Sequence, residues 1–268
     1  MSWIIKTLSS SIGQKLIMAL TGLFLCLFLV IHLIGNLQLL NNDYGYSFNK
    51  YAKTMTTSPL IKVASIITYA AILFHAFKGI ALAVSNYRAR SSRYKKTAGN
   101  ANSSWFSRSM ALLGTIILVF IVIHLAQFWY VYKFGETPYQ EYVQLTIGTE
   151  SNIYPKEEFK KLVEARFFDE KVYDENGQVN KTIDQSEVTY KDLSKIVSTT
   201  FKEIWYVLLY VFSMFAISFH LIHGFESAFQ TLGLSHKKYN ALIKNIGLAF
   251  SIIIPAAFAS IPVIMYFN

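Results

Sequence analysis

Five apolar stretches, at about 15–40, 60–85, 109–132, 204–230 and 242–267, constrain this chain more than any other feature. A membrane span needs roughly 20 mostly apolar residues at about 1.5 Å rise each, and all five reach that length. With 53% hydrophobic and only 15% charged residues, the chain is too apolar and too poor in charge for an ordinary soluble domain. The expectation is an all-α integral membrane protein, a single membrane domain over 1–268 with five transmembrane helices in one bundle. The first stretch follows Lys6 and Lys15, yet its apolar run is too long for a signal peptide and no small-residue cleavage site follows, so it is a retained helix. The only cysteine, Cys26, lies inside it, which removes disulfides, thiolate clusters and covalent C-x-x-C-H heme from consideration.

The net charge of +9 does not point to nucleic acid, because of where it sits. Arg88, Arg90, Arg93, Lys95, Lys96 and Arg108 fill the second connection without an acid, and Lys237 and Lys238 lie in the last. With alternating helices these fall on the same side as Lys6 and Lys15. The positive-inside rule makes that side the cytoplasm, so the N-terminus is inside and the C-terminus outside. The opposite side receives the 41–59 loop and a long 133–203 segment holding 14 of the 16 acidic residues. That segment is too polar to span and too long for a plain loop, so it is an extracytoplasmic insertion, with a surface amphipathic helix expected over Val188–Phe201. Asn180-Lys-Thr182 matches a glycosylation triplet but receives no role, and no internal repeat is evident.

Five of the six histidines, His32, His75, His124, His220 and His223, lie inside the apolar stretches, and only His236 is in a loop. One such imidazole is ordinarily a neutral side chain hydrogen-bonded to a neighbouring helix. Four helices carrying one each is a different matter, since ionisable groups in spans are rare and normally have a task. His32, His75, His124 and His220 each fall a few residues beyond their helix midpoint. Alternating direction then sorts them into two levels, His32 with His124 nearer the outside and His75 with His220 nearer the cytoplasm, roughly 10 Å apart along the normal. Two histidines per level, one per helix, is the requirement of two six-coordinate b hemes. Gly79 and Gly224 follow His75 and His220 by four residues, on the same helix face, where a missing side chain lets a porphyrin edge approach. Glycines also serve close helix packing in membranes, and His223 competes with His220 as ligand; the glycine spacing favours His220. Glu226 is the only acid in a span and is better explained as an interfacial residue than a proton relay; Lys78 is better explained as a snorkelling side chain than a heme-propionate partner.

At these residues the sequence resembles the diheme cytochrome b anchor (type B) of bacterial succinate dehydrogenases and fumarate reductases, the succinate:quinone oxidoreductases. The matching text is SIGQKLIMALTG at 11–22, HLIGN from His32, FHAFKG around His75, HLAQFW from His124 and FHLIHGFESAFQTLG around His220. It covers 11–132 and 203–266 and fails over 133–203. The resemblance implies two heme b, a proximal one on His75 and His220 and a distal one on His32 and His124. It also implies partner subunits on the cytoplasmic side, a flavoprotein with FAD and an iron–sulfur protein, and a quinone, menaquinone, as the membrane substrate. Succinate chemistry would belong to the flavoprotein, and this chain would handle heme and quinone redox. Some fumarate reductases of this type carry a glutamate two residues before the position of His220; here it is Ser218, so that proton path is not expected.

Three other readings compete. Diheme anchors of formate dehydrogenase, nitrate reductase or hydrogenase also carry histidines on membrane helices, though the motif order disfavours them. A transporter or proton channel lined by histidines would need paired polar residues along a path, and acids are scarce in the spans. A heme-free anchor leaves the two histidine levels unexplained.

Overall fold

The computed structural model describes residues 10–89, 105–165, 167–168, 183–234 and 236–268, with Trp3 and Lys6. Arg90, Arg93, Lys95, Lys96 and the triplet beginning at Asn180 lie outside the described residues. Among the described residues five helices are long and apolar enough to cross a membrane, the pattern of a multi-pass membrane protein. In chain order the elements are α1 (Ser11–Leu37), α2 (Tyr46–Thr57), α3 (Pro59–Arg88), α4 (Met110–Phe134), β1 (Tyr139–Ile147), β2 (Glu150–Pro155), α5 (Lys156–Glu164), β3 (Ile183–Lys191), α6 (Leu193–Phe201), α7 (Ile204–Thr231) and α8 (Asn240–Phe267). The spans are α1, α3, α4, α7 and α8.

Local chemistry sets the ends of these helices. Ser10 Oγ accepts from Gly13 N at 3.1 Å and caps α1, while Pro59, whose missing N–H costs nothing in a first turn, opens α3. α4 is α-helical to His124, π-helical over Leu125–Tyr130 and α-helical again to Phe134. Pro255 and Pro262 lie inside α8, where the surrounding helices tolerate the lost backbone hydrogen bonds.

The packing of the spans defines a ring. α1 packs on α3, α3 on α4, α4 on α7 and α7 back on α1, with α8 outside against α7 and α1. Neighbours run antiparallel: Met18 and Gly22 of α1 lie beside Gly79 and His75 of α3, and Met110 and Gly114 of α4 beside Gly224 and His220 of α7. Outward-facing Leu73, Phe77, Leu112, Val119, Leu208 and Phe212 are all more than half exposed, an apolar surface that suits a hydrocarbon solvent and not water.

The insertion is a cap on one end of this ring, and it contains a sheet that an all-α expectation leaves out. β1 is central, antiparallel to β2 and to β3. Gly148, at φ 64°, supplies the left-handed residue of the two-residue β1–β2 hairpin. The single helix expected over Val188–Phe201 is two elements. Val188–Lys191 finishes β3, where Val188 pairs with Tyr142, and the helix starts only after Asp192, whose carboxylate caps Lys195 N at 3.1 Å. β-branched Val188 and Thr189 suit the pleat, and an Asp at the break suits an N-cap better than a helix interior.

The cap is seated by a buried polar knot. Asn49 of α2 is fully buried; its amide donates to Tyr142 Oη at 3.0 Å and Asp192 Oδ1 at 2.9 Å, and its carbonyl accepts from Ser194 N at 2.9 Å. Tyr142, also fully buried, donates onward to Tyr44 O at 3.1 Å, and this burial pushes its hydroxyl pKa up to about 12. Gly45, at φ 79°, lies against Ser194, so a side chain there would meet both strain and a collision. Beneath the knot an apolar cluster of Phe48, Phe120, Val197, Phe201, Val207, Tyr210 and Met214 joins the cap to α4, α7 and α8.

Candidate functional site

The four histidines on separate spans meet as two pairs across the ring. The His32 and His124 ring centroids are 5.8 Å apart with planes at 90°; those of His75 and His220 are 6.3 Å apart at 72°. Each pair is diagonal. His32 on α1 meets His124 on α4, and His75 on α3 meets His220 on α7, although neither helix pair is among those that pack closely. The imidazoles reach toward each other through the interior and do not sit at a helix seam.

The two levels can be measured along single helices. Gly22 marks the His75 level on α1, with a hypothetical Cβ 3.3 Å from His75 Cε1, and His32 lies ten residues further on. Gly114 marks the His220 level on α4, 3.8 Å from His220 Cε1 in the same sense, and His124 again lies ten residues further on. Ten residues of helix are about 15 Å, more than the roughly 10 Å expected from helix midpoints. The difference comes mainly from His32: Ser11–Leu37 is centred at residue 24, eight residues before it, not two to four.

A repeat that is not evident in the sequence also emerges. Met18, Gly22 and His32 of α1 have the spacing of Met110, Gly114 and His124 of α4, and His75 and Gly79 of α3 that of His220 and Gly224 of α7. The antiparallel pairs α1–α3 and α4–α7 are thus two copies of one arrangement. Gly79 and Gly224 face the methyl ends of Met18 and Met110 at 3.8 and 4.0 Å from an added Cβ, ordinary contact. Helix packing does not demand glycine at either position.

Hydrogen bonding distinguishes the histidines. His75 Nδ1 is 3.1 Å from Thr21 Oγ1, and His124 Nδ1 is 3.4 Å from Tyr210 Oη, which also donates to Gln127 Oε1 at 2.8 Å. Asn36 Nδ2 stands 3.4 Å from both ring nitrogens of His32 and so selects neither. His220 Nδ1 is buried with no hydrogen-bond partner among the described residues. The repeat accounts for that orphan, because the residue preceding Gly114 is Leu113, buried and apolar, where Thr21 precedes Gly22. Phe28, Phe258, Phe120 and Phe128 pack around the His32–His124 pair, and the π-helical turn begins directly after His124. Such turns often mark functional positions in membrane and soluble helices.

This donor set suits a porphyrin iron better than a bare ion. Among the described residues no three His, Cys, Asp or Glu side chains converge as a ligand group, so a tetrahedral ion would lack its first shell. A porphyrin brings four nitrogens and needs only two axial imidazoles. Two metal–nitrogen bonds of about 2 Å plus about 1.2 Å from each nitrogen to its ring centre would separate the centroids by about 6.4 Å, which matches the 6.3 Å of His75–His220 and exceeds the 5.8 Å of His32–His124. The glycines without a packing reason are a further feature that such a group would explain. His223 forms no ring contact with another histidine among the described residues, and the His236 ring lies tilted against Tyr239 in the loop, centroids 5.8 Å apart. Glu226 accepts from Gln230 Nε2 at 3.3 Å, and Cys26 is buried and free. Thr21, Tyr210 and Gln127 escape a reading of the sequence, since hydroxyl and amide residues in spans commonly bond their own backbone.

No protein-family model, curated protein or solved structure matches the chain.

Proposed function

We propose that this chain is the diheme b-type cytochrome anchor of a succinate:quinone oxidoreductase, carrying electrons between an iron–sulfur partner subunit and quinone in a bacterial cytoplasmic membrane. The observation that carries the reading is the pair of diagonal histidine contacts, His32 with His124 and His75 with His220, at two levels of one ring of helices. When bound, two heme b would supply one-electron redox steps, matching single-electron iron–sulfur donors to a two-electron quinone.

The chain's own residues do the rest. His32 with His124 and His75 with His220 would each hold one heme iron, and Gly79 and Gly224 carry no side chain beside the His75–His220 level. The Phe-rich surroundings of the other level keep water from it. Lys15, Arg88, Arg108, Lys237, Lys238 and Lys244 gather at the bundle end opposite the cap, next to the His75–His220 level. That end is the cytoplasmic one by the positive-inside rule and offers a basic docking face for the iron–sulfur and flavoprotein subunits. Menaquinone would then exchange electrons near the His32–His124 level, under the cap.

The test is a dithionite-reduced minus oxidised spectrum of the purified chain, followed by addition of a menaquinone analogue. The reading predicts b-type bands and their reoxidation by quinone. A well-folded preparation without such bands contradicts it.

A further inference from the structure

The two levels share an asymmetry that goes beyond ligation. In each pair one imidazole has a hydroxyl at Nδ1 and the other has no defined partner: Thr21 serves His75 while His220 Nδ1 is unpartnered, and Tyr210 serves His124 while Asn36 lies equidistant from both nitrogens of His32. The hydroxyl protons are already committed. Thr21 Oγ1 donates to Ile17 O at 2.7 Å, shorter than its 3.1 Å contact with His75. Tyr210 Oη donates to Gln127 Oε1 at 2.8 Å, and an amide oxygen can only accept. Each hydroxyl can therefore act toward its histidine only as an acceptor, and the histidine must carry its proton on Nδ1. A neutral imidazole protonated at Nδ1 keeps its lone pair on Nε2.

We infer that Thr21 and Tyr210 are positioning residues that lock His75 and His124 in the Nδ1–H tautomer, making one strong, oriented Nε2 donor at each level and leaving His220 and His32 as the weaker, freer one. This rests on the proposed heme ligation. A hydrogen bond from the far nitrogen raises the basicity of an imidazole ligand, which favours the ferric state and lowers the potential. Removing the acceptor should raise it.

The test is a redox titration of the full chain with Tyr210→Phe, Thr21→Val and Thr21→Ser, each compared with wild type, alongside heme content. Phe and Val keep the ring and the branched shape while deleting the acceptor. Each should move one potential upward and leave the other in place, the two variants moving different ones. A tenfold change in ferric preference corresponds to about 59 mV for a one-electron couple. Thr21→Ser should restore the wild-type value. Loss of a single heme confined to the affected level also supports the assignment, since lost supporting bonds weaken metal binding about 10–100-fold. Two hemes whose potentials ignore both substitutions, or shift together, overturn the assignment and leave the proposed function standing. A wild-type chain without heme overturns both.

Discussion

His75 and His220 face one another with ring centroids 6.3 Å apart on helices α3 and α7, which do not pack closely together. Two neutral imidazoles gain little by meeting this way, and one leaves a buried nitrogen unpartnered, at a typical cost of about 1–3 kcal/mol. The proposed heme, held between the two rings, would give the contact a reason, while His220 Nδ1 stays unpartnered.

Space beside this pair makes the first prediction. Gly79→Ala places a methyl 3.8 Å from Met18 Cε, so in heme-free protein it should be neutral or stabilise α3 by about 0.5–1 kcal/mol. Gly79→Leu should still insert and fold but retain less heme, with the loss confined to the His75–His220 level. Thermal unfolding of apo and loaded protein, compared with heme content, checks both. Equal heme retention by Gly and Leu would show that nothing approaches the backbone there.

The cap depends on Asn49. Asn49→Leu removes one of several donors from Asp192 Oδ1, which keeps Ser194 Oγ and Lys195 N, and one from Tyr142 Oη, which still donates to Tyr44 O, and it takes from the Ser194 N–H its acceptor Asn49 Oδ1, a loss of about 1–3 kcal/mol for a buried group. The five spans do not need this knot, so limited proteolysis should cut within 133–203 far faster than in wild type while the helical content stays constant. Unchanged protection would mean that the apolar cluster under α6 seats the cap alone.

Tyr142 gives that seat a pH dependence. Its hydroxyl pKa is raised from 10.0 to about 12 by burial, so the unfolded or undocked state ionises first as pH rises. The stabilisation is complete below pH 10 and is lost progressively between about 10 and 12. Protease sensitivity of the cap should climb through that window, and Tyr142→Phe should flatten the rise. A rise of the same size in the Phe variant would assign it to other groups.

The parts of this fold that lie in hydropathy and residue type are legible without coordinates. Five spans follow from apolar length, and the pairing of His32 with His124 and His75 with His220 follows from helix alternation, because a histidine in hydrocarbon is conspicuous. What depends on tertiary register is not. His32 sits far past the centre of α1, so the levels lie further apart than helix midpoints imply. The repeat rests on a few positions, Met18, Gly22 and His32 against Met110, Gly114 and His124, and emerges only once Gly22 meets His75 and Gly114 meets His220. β1–β3 are half-buried and mix charge with aromatics, which hides their period, and Asn49 becomes a central residue only through partners 93 and 143 residues away.

The most direct test of the central claim is heme stoichiometry by pyridine hemochrome in the wild-type chain and in His32→Ala, His75→Ala, His124→Ala and His220→Ala. Close to two b hemes per wild-type chain are expected. His75→Ala and His220→Ala should lose the same heme, by spectrum and potential, and His32→Ala and His124→Ala the other. Absence of heme from folded wild type, or variants that lose heme without this pairing, would contradict the account.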